Sequence, residues 1–290
     1  MRELLDGCRQ APPDPPSATA LLPLGLRETH IWTLKVPGDG REPPSQVLRE
    51  LDGRERQRAA GFLRTRDRLR YVAAHVALRR VLALYLGRAP QAVRFGRADC
   101  PRCSGPHGRP QVRDVEDAPH FSLSHSGGLA TVAVARTPVG VDVQTVPSPR
   151  TMELCAHRLH PRERADLSEL RPPGRPLAFA RLWSRKEAHL KGVGIGLARR
   201  LDADYLGGRA GPAGAVGGWL VRDLPDDAAG GADARDAVAA VAVRTRHDHR
   251  VVLRAVPVQG IYASGADAAD LMAATAPLHV TDVRASGRST

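Results

Sequence analysis

Aromatic residues are scarce in this 290-residue chain, at 4%, which leaves little material for the stacking surfaces that read single-stranded nucleic acid. Lysine is scarcer still: Lys35, Lys186 and Lys191 are the three lysines among 43 basic residues, the rest being arginine. Four cysteines, Cys8, Cys100, Cys103 and Cys155, are too few and too scattered to staple a chain of this length with disulfides. No apolar run reaches about 18 residues, which excludes a helical membrane span. The N-terminus has no basic segment leading into an apolar core, because Glu3 and Asp6 intrude and Pro12, Pro13, Pro15 and Pro16 follow. The chain reads as unprocessed and cytoplasmic.

What is abundant is positive charge. A formal net charge of +12 favours an anionic partner, whether nucleic acid, membrane surface, acidic protein or phosphate-rich small molecule. The preference for arginine, with frequent Ala, Gly and Pro, is also what a GC-rich coding sequence produces, and this lowers the weight of charge as evidence. The length suffices for one large domain or two modest ones.

The Pro-rich first 20 residues read as a flexible arm. Order is expected from a strand at His30 to Val36, closed by the turn Pro37-Gly38-Asp39-Gly40, followed by arginine-laden helices. A wide apolar helical stripe from Tyr71 to Leu86 ends at Gly87. Three short runs, His120–Ser126, Ala130–Ala135 and Val139–Val143, read as a meander. A helical block from Met152 to about Leu170, broken by Pro161, precedes the helix bearing Trp183 to Lys191, and strands return near 219–221, 237–243 and 251–256. Helices followed by strands thus occur twice, which predicts an α+β fold of two similar halves: an N-terminal lobe over 21–140, a C-terminal lobe over 141–260 and a flexible tail over 261–290.

The helix Trp183-Ser184-Arg185-Lys186-Glu187-Ala188-His189-Leu190-Lys191 sets Glu187 and Lys191 on one face, and Gly192-Val193-Gly194-Ile195-Gly196-Leu197 ends it. Such a pair suits a metal and a phosphate, and equally a plain surface ion pair. Asp142 lies among valines in Val139-Gly140-Val141-Asp142-Val143-Gln144, where a carboxylate needs a cation or donors, unless it only forms a turn at the strand end. Gly140 would let another backbone or a ligand come close. Ser124-His125-Ser126-Gly127 enters a tight turn whose hydroxyls, amides and imidazole suit an anion or a proton transfer. A Ser-His-Asp hydrolase is disfavoured because Gly-x-Ser-x-Gly is missing. Cys100-x-x-Cys103 with His107 has zinc-like spacing but only half of a tetrahedral set. Arg109, in Gly108-Arg109-Pro110, is placed to meet a phosphate. Glu163, just after Pro161, sits where a carboxylate caps a helix.

In order along the chain, Gly108-Arg109-Pro110, Phe121-Ser122-Leu123-Ser124-His125-Ser126, Val139-Gly140-Val141-Asp142-Val143 and Trp183 to Lys191 with its glycine return resemble the motifs of the two-lobed 4'-phosphopantetheinyl transferases. The resemblance spans about 30–257. It implies a pseudo-dimer of two similar α+β lobes and an activity: Mg2+-dependent transfer of 4'-phosphopantetheine from coenzyme A to a serine of an apo carrier protein. It implies that Asp142 and Glu187 bind Mg2+, and that Lys186 and Lys191 lie near the phosphates. Arg109, His125 and Ser124 would contact the nucleotide, with Arg70 near the 3'-phosphate and Arg54 at a further phosphate position. Where many relatives carry a second acid, this chain has Gln144, whose neutral amide oxygen can ligate the metal or hold its water. Glu187 is the first candidate for the base that deprotonates the serine and Glu163 the second. The basic surface suits acidic carrier proteins, no nucleic acid or membrane is expected as partner, and one chain carrying both lobes implies a monomer. The resemblance assigns no role to Cys100, Cys103 or His107.

Overall fold

The computed structural model of the chain describes residues 22–36, 41–196, 199–207, 215–226, 236–263 and 265–283. The expected N-terminal arm, the turn at 37–40 and Leu197 of the glycine return lie outside these residues.

Strand β1 (Glu28–Lys35) is followed by α1 (Ser45–Leu48), α2 (Gly53–Ala60) and α3 (Thr65–Leu86), and α3 ends at Gly87 in the left-handed conformation. The hairpin β2 (Phe95–Arg97) and β3 (Pro110–Val112) leads into β4 (His120–Ser126), β5 (Leu129–Ala135) and β6 (Val139–Thr145). The second half continues with α4 (Pro149–Ala156), α5 (Pro161–Ser168) and α6 (Arg175–Val193), then β7 (Ala215–Val216), β8 (Trp219–Asp223), β9 (Ala237–Arg244) and β10 (His249–Ala255), and finally α7 (Gln259–Tyr262), α8 (Gly265–Ala273) and β11 (His279–Val283). The α+β class read from the sequence is borne out.

Two larger sheets form, one in the order β11-β10-β1-β5-β4 and one in the order β6-β9-β8-β7. Period-two alternation divides their residues among three cores. Trp32 and Leu34 of β1 pack with Val76, Val81 and Leu82 of α3, whereas Ile31 turns to the opposite face and meets Val141, Val241 and Leu253 between the sheets. Beyond the second sheet, Ala188 of α6 packs on Trp219, Val221 and Ala240. The layers therefore run α3, first sheet, second sheet, α6.

Three expectations differ from the structure. The meander closes after two strands, because β6 pairs antiparallel with β9 rather than with β5. The expected lobes share strands, since β10 lies parallel beside β1 in the first sheet. The tail expected to be flexible from 261 carries α8, whose Met272 is buried in the first core, and β11, which pairs with β10.

Strand β6 nevertheless runs beside β4, joined through side chains. Ser122, Ser124 and Ser126 accept from the amides of Val141, Val143 and Thr145 at 3.1, 3.3 and 3.1 Å. The alternating serines of Phe121-Ser122-Leu123-Ser124-His125-Ser126 thus form a ladder between the two sheets.

Candidate active site

On β6, Val139, Val141 and Val143 face the core between the sheets, so the alternation sends Gly140, Asp142 and Gln144 toward α6. The approach there is backbone to backbone: a Cβ on Gly140 would lie 2.0 Å from the carbonyl oxygen of Ala188 and 2.4 Å from the amide of Gly192. The close approach expected at Gly140 is made by a helix. It brings Asp142 within reach of α6, where Ser184 Oγ, at mid-helix, donates to the Asp142 carbonyl at 3.1 Å.

Asp142 is 5% exposed. Its Oδ1 accepts from Lys191 Nζ at 2.6 Å and from Ser124 Oγ at 2.8 Å. Lys191 also donates to Ser124 Oγ at 2.8 Å and to the Val141 carbonyl at 3.3 Å. Oδ2 is buried and has no hydrogen-bond partner among the described residues. A carboxylate divided this way spends one oxygen on its anchor and leaves the other unsatisfied, which is costly unless something binds it. Glu187 is half-buried on α6. Burial and then the like charge of Asp142 raise its pKa above the ordinary carboxylate value, against the opposing pull of Lys191 and Arg158. The helical pair expected between Glu187 and Lys191 is replaced by the Lys191–Asp142 ion pair.

Lys191 also lines a cleft of about 1720 Å3, together with Arg54, Tyr71, His75, Arg109 and Gly194. Arg109 donates to the Gly192 carbonyl at the end of α6, at 3.0 Å. Burial, and next the charge of Arg244, lower its pKa. Gly194 caps α6 at φ 84°, and a Cβ there would strike Arg109 Cγ at 2.5 Å. His125 is exposed at the end of β4. Desolvation of the ring, then the charges of His75, Lys191 and Arg70, lower its pKa, so His125, Lys191 and Arg70 occupy one electrostatic neighbourhood. Arg70 pairs loosely with Asp67 at 3.6 Å.

Three expected site residues are engaged by the protein's own groups. Lys186 is 2% exposed and donates to the carbonyls of Leu201 and Asp204 at 2.7 and 2.6 Å, with Glu163 Oε2 at 2.8 Å. Glu163 is fully buried and also accepts from the amides of His160 and Leu206 at 3.0 and 2.9 Å. The capping reading of Glu163 is the one the structure takes, and these two residues anchor α5 and α6 to the 201–206 segment away from the cleft. Ser124 Oγ is engaged by Asp142, Lys191 and the Val143 amide. His75 and Tyr71, not among the site residues expected from the sequence, lie one helical turn apart in the cleft wall with ring centroids 4.0 Å apart. His75 Nδ1 is 2.9 Å from Glu55 Oε1. A histidine inside an apolar stripe was the available signal.

Residues 138–216 match the 4'-phosphopantetheinyl transferase superfamily, a segment that contains Asp142, Glu187 and Lys191. The 4'-phosphopantetheinyl transferase HetI of Nostoc sp. is 33% identical over 239 residues, covering 80% of this chain and 92% of that protein. The 4'-phosphopantetheinyl transferase Sfp of Bacillus subtilis is 26% identical over 163 residues, covering 56% of this chain and 69% of that protein. The chain therefore belongs to the 4'-phosphopantetheinyl transferase superfamily and is an enzyme of that transferase class.

Proposed function

We propose that this enzyme transfers the 4'-phosphopantetheine arm of coenzyme A to a serine of an apo acyl, peptidyl or aryl carrier protein, with Mg2+ as cofactor. The products are holo carrier protein and adenosine 3',5'-bisphosphate. The observation that carries the reading is the divided carboxylate of Asp142, one oxygen held by Lys191 and Ser124 and the other buried without a partner.

The donor set fits a hard divalent cation. Asp142 Oδ2 and the Glu187 carboxylate supply anionic oxygens, and Gln144, on the same face of β6, supplies a neutral one. These three residues would hold Mg2+, which when bound supplies charge neutralisation to the pyrophosphate. The remaining steps belong to the chain. Arg54, Arg70, Arg109 and His125 bind the phosphates of the nucleotide. Lys191, fixed by Asp142 and Ser124, presents its ammonium to the cleft, where charge develops on the leaving bisphosphate. Glu187, whose burial makes it a stronger base than an ordinary carboxylate, takes the proton of the carrier serine, directly or through one water. The serine oxygen bonds to the pantetheine-side phosphorus, the bond from that phosphorus to the bridging oxygen breaks, and the bisphosphate departs with the electron pair. Residues from both halves of the chain line one cleft, which supports action as a monomer, and the basic surface complements acidic carriers.

Intact mass spectrometry of several apo carrier proteins, incubated with the folded enzyme, coenzyme A and Mg2+, tests the proposal. Each accepted carrier gains the mass of one phosphopantetheine arm. No gain on any acyl, peptidyl or aryl carrier would sink it.

A further inference from the structure

The hairpin β2–β3 closes over a short loop that folds the three residues with zinc-like spacing onto one another. Cys100 Sγ, Cys103 Sγ and a ring nitrogen of His107 all lie within 4.8 Å of one another, and Cys103 Sγ is 3.0 Å from His107 Nε2. In tetrahedral zinc sites, with bonds of about 2.3 Å to sulfur and about 2.0 Å to nitrogen, neighbouring ligand atoms fall roughly 3.5–3.8 Å apart. The cluster is already gathered to that scale.

The backbone is shaped for it. The amide of Ser104 donates to the Cys100 carbonyl and the amide of Cys100 to the Gly105 carbonyl, both at 2.8 Å, which folds the loop back on Cys100. Ser104 takes the left-handed conformation at φ 57°. A Cβ on Gly105 would meet the His107 ring at 3.1 Å and Cys103 Sγ at 3.5 Å, and one on Gly108 would strike the carbonyls of Ala98 and Asp99 at 2.6 Å. Both glycines are needed to bring the imidazole against the sulfurs. Cys100 is buried, whereas Cys103 and His107 are exposed, so one position of a tetrahedron opens to solvent.

We propose that Cys100, Cys103 and His107 bind one Zn2+ ion, with solvent as the fourth ligand, and that this ion fixes the loop from which Arg109 enters the cleft. Two thiolates and an imidazole select zinc over the oxygen-loving cations. The site is distinct from Asp142 and Glu187, and its metal content can be read without any transfer assay. After the loop the chain returns through Gly108, whose amide donates to the Ala98 carbonyl at 2.8 Å, directly into Arg109, whose carbonyl accepts from the Ala98 amide at 2.9 Å. Holding His107 therefore holds the base of Arg109.

The test is metal analysis of the full-length protein, stripped with a chelator and then titrated with Zn2+ against a chromogenic chelator. The wild type and the control Cys155→Ser take up one zinc per chain, and the double variant Cys103→Ser/His107→Asn takes up none. Both changed residues are exposed, so the variant keeps its fold, which circular dichroism checks. Hydrogen exchange at residues 99–109 rises when the metal is removed and stays unchanged at β6 and α6. Wild-type protein that takes up no zinc, equal uptake by the double variant, or a Cys100–Cys103 disulfide in the freshly isolated protein would overturn the proposal.

Discussion

Changing Glu163 to glutamine and changing Glu187 to glutamine should have opposite consequences, although both are acids of the second half. Glu163→Gln leaves the ammonium of Lys186 buried without its counter-charge, which costs about 3–5 kcal/mol; a large drop in the urea midpoint, with transfer retained in whatever protein stays folded, is the expected outcome. Glu187→Gln removes a half-buried acid already strained by burial and by Asp142, so the midpoint should hold or rise while transfer is lost. Equal activity of Glu187→Gln and wild type would remove Glu187 from the chemistry. A separate residue-scale effect concerns acid stability. His249 is 2% exposed, its Nε2 lies 2.8 Å from Thr29 Oγ1, and burial lowers its pKa to about 4. The folded protein therefore keeps this ring neutral, while the unfolded chain protonates it near its ordinary value of 6.5. The stabilisation is complete above that value and is lost as the pH falls toward 4, on the order of 3 kcal/mol in all. Urea unfolding at pH 7 and pH 5 should show the loss, and His249→Gln should show less of it.

Helix α6 carries both the site and the anchor of the second half, and its seat on β6 leaves no room for a side chain at Gly140. Gly140→Ala would place a methyl 2.0 Å from the Ala188 carbonyl, so strand and helix must part. We expect a loss of about 1–3 kcal/mol or more, together with a loss of transfer as Asp142 withdraws from Lys191, measured by thermal unfolding and by carrier modification. The sequence announced much at this scale. Glycine two residues before an aspartate in a valine strand signalled close approach, and the apolar stripe ending at Gly87 marked α3 correctly, because both are local. What it could not announce was pairing. The apolar alternation of β6 suits any neighbouring strand equally well, so nothing local distinguished a third meander strand from a partner of β9. In the same way Lys186 and Lys191 stand on one helix and look alike in sequence, but five residues of helical twist turn one toward Glu163 and the other toward the cleft.

At the scale of the whole molecule, the two halves are tied together, since β10 of the second pairs with β1 of the first in one sheet. A fragment ending at Arg136, in the link between β5 and β6, should therefore be unfolded or aggregated alone and should recover structure when mixed with the fragment that follows; a cooperative unfolding transition of the first fragment by itself would contradict this. Arginine, the loudest signal in the composition, is also partly internal. Arg79 is buried against Glu55 and Asp52, and Arg80 against Glu50 and the carbonyls of Gly260 and Ala263. A share of the arginine thus braces α3 rather than facing an acidic carrier, and no reading of composition could have separated the two uses. The serine ladder between β4 and β6 reaches furthest of all these features. By capping three amides of β6 that point away from β9, it removes from the middle of the molecule an open template for strand addition. The alternating serines of that motif therefore protect the protein against self-association as well as placing Asp142, and a variant with Ser122 and Ser126 replaced by valine should betray itself first in the turbidity of a concentrated solution.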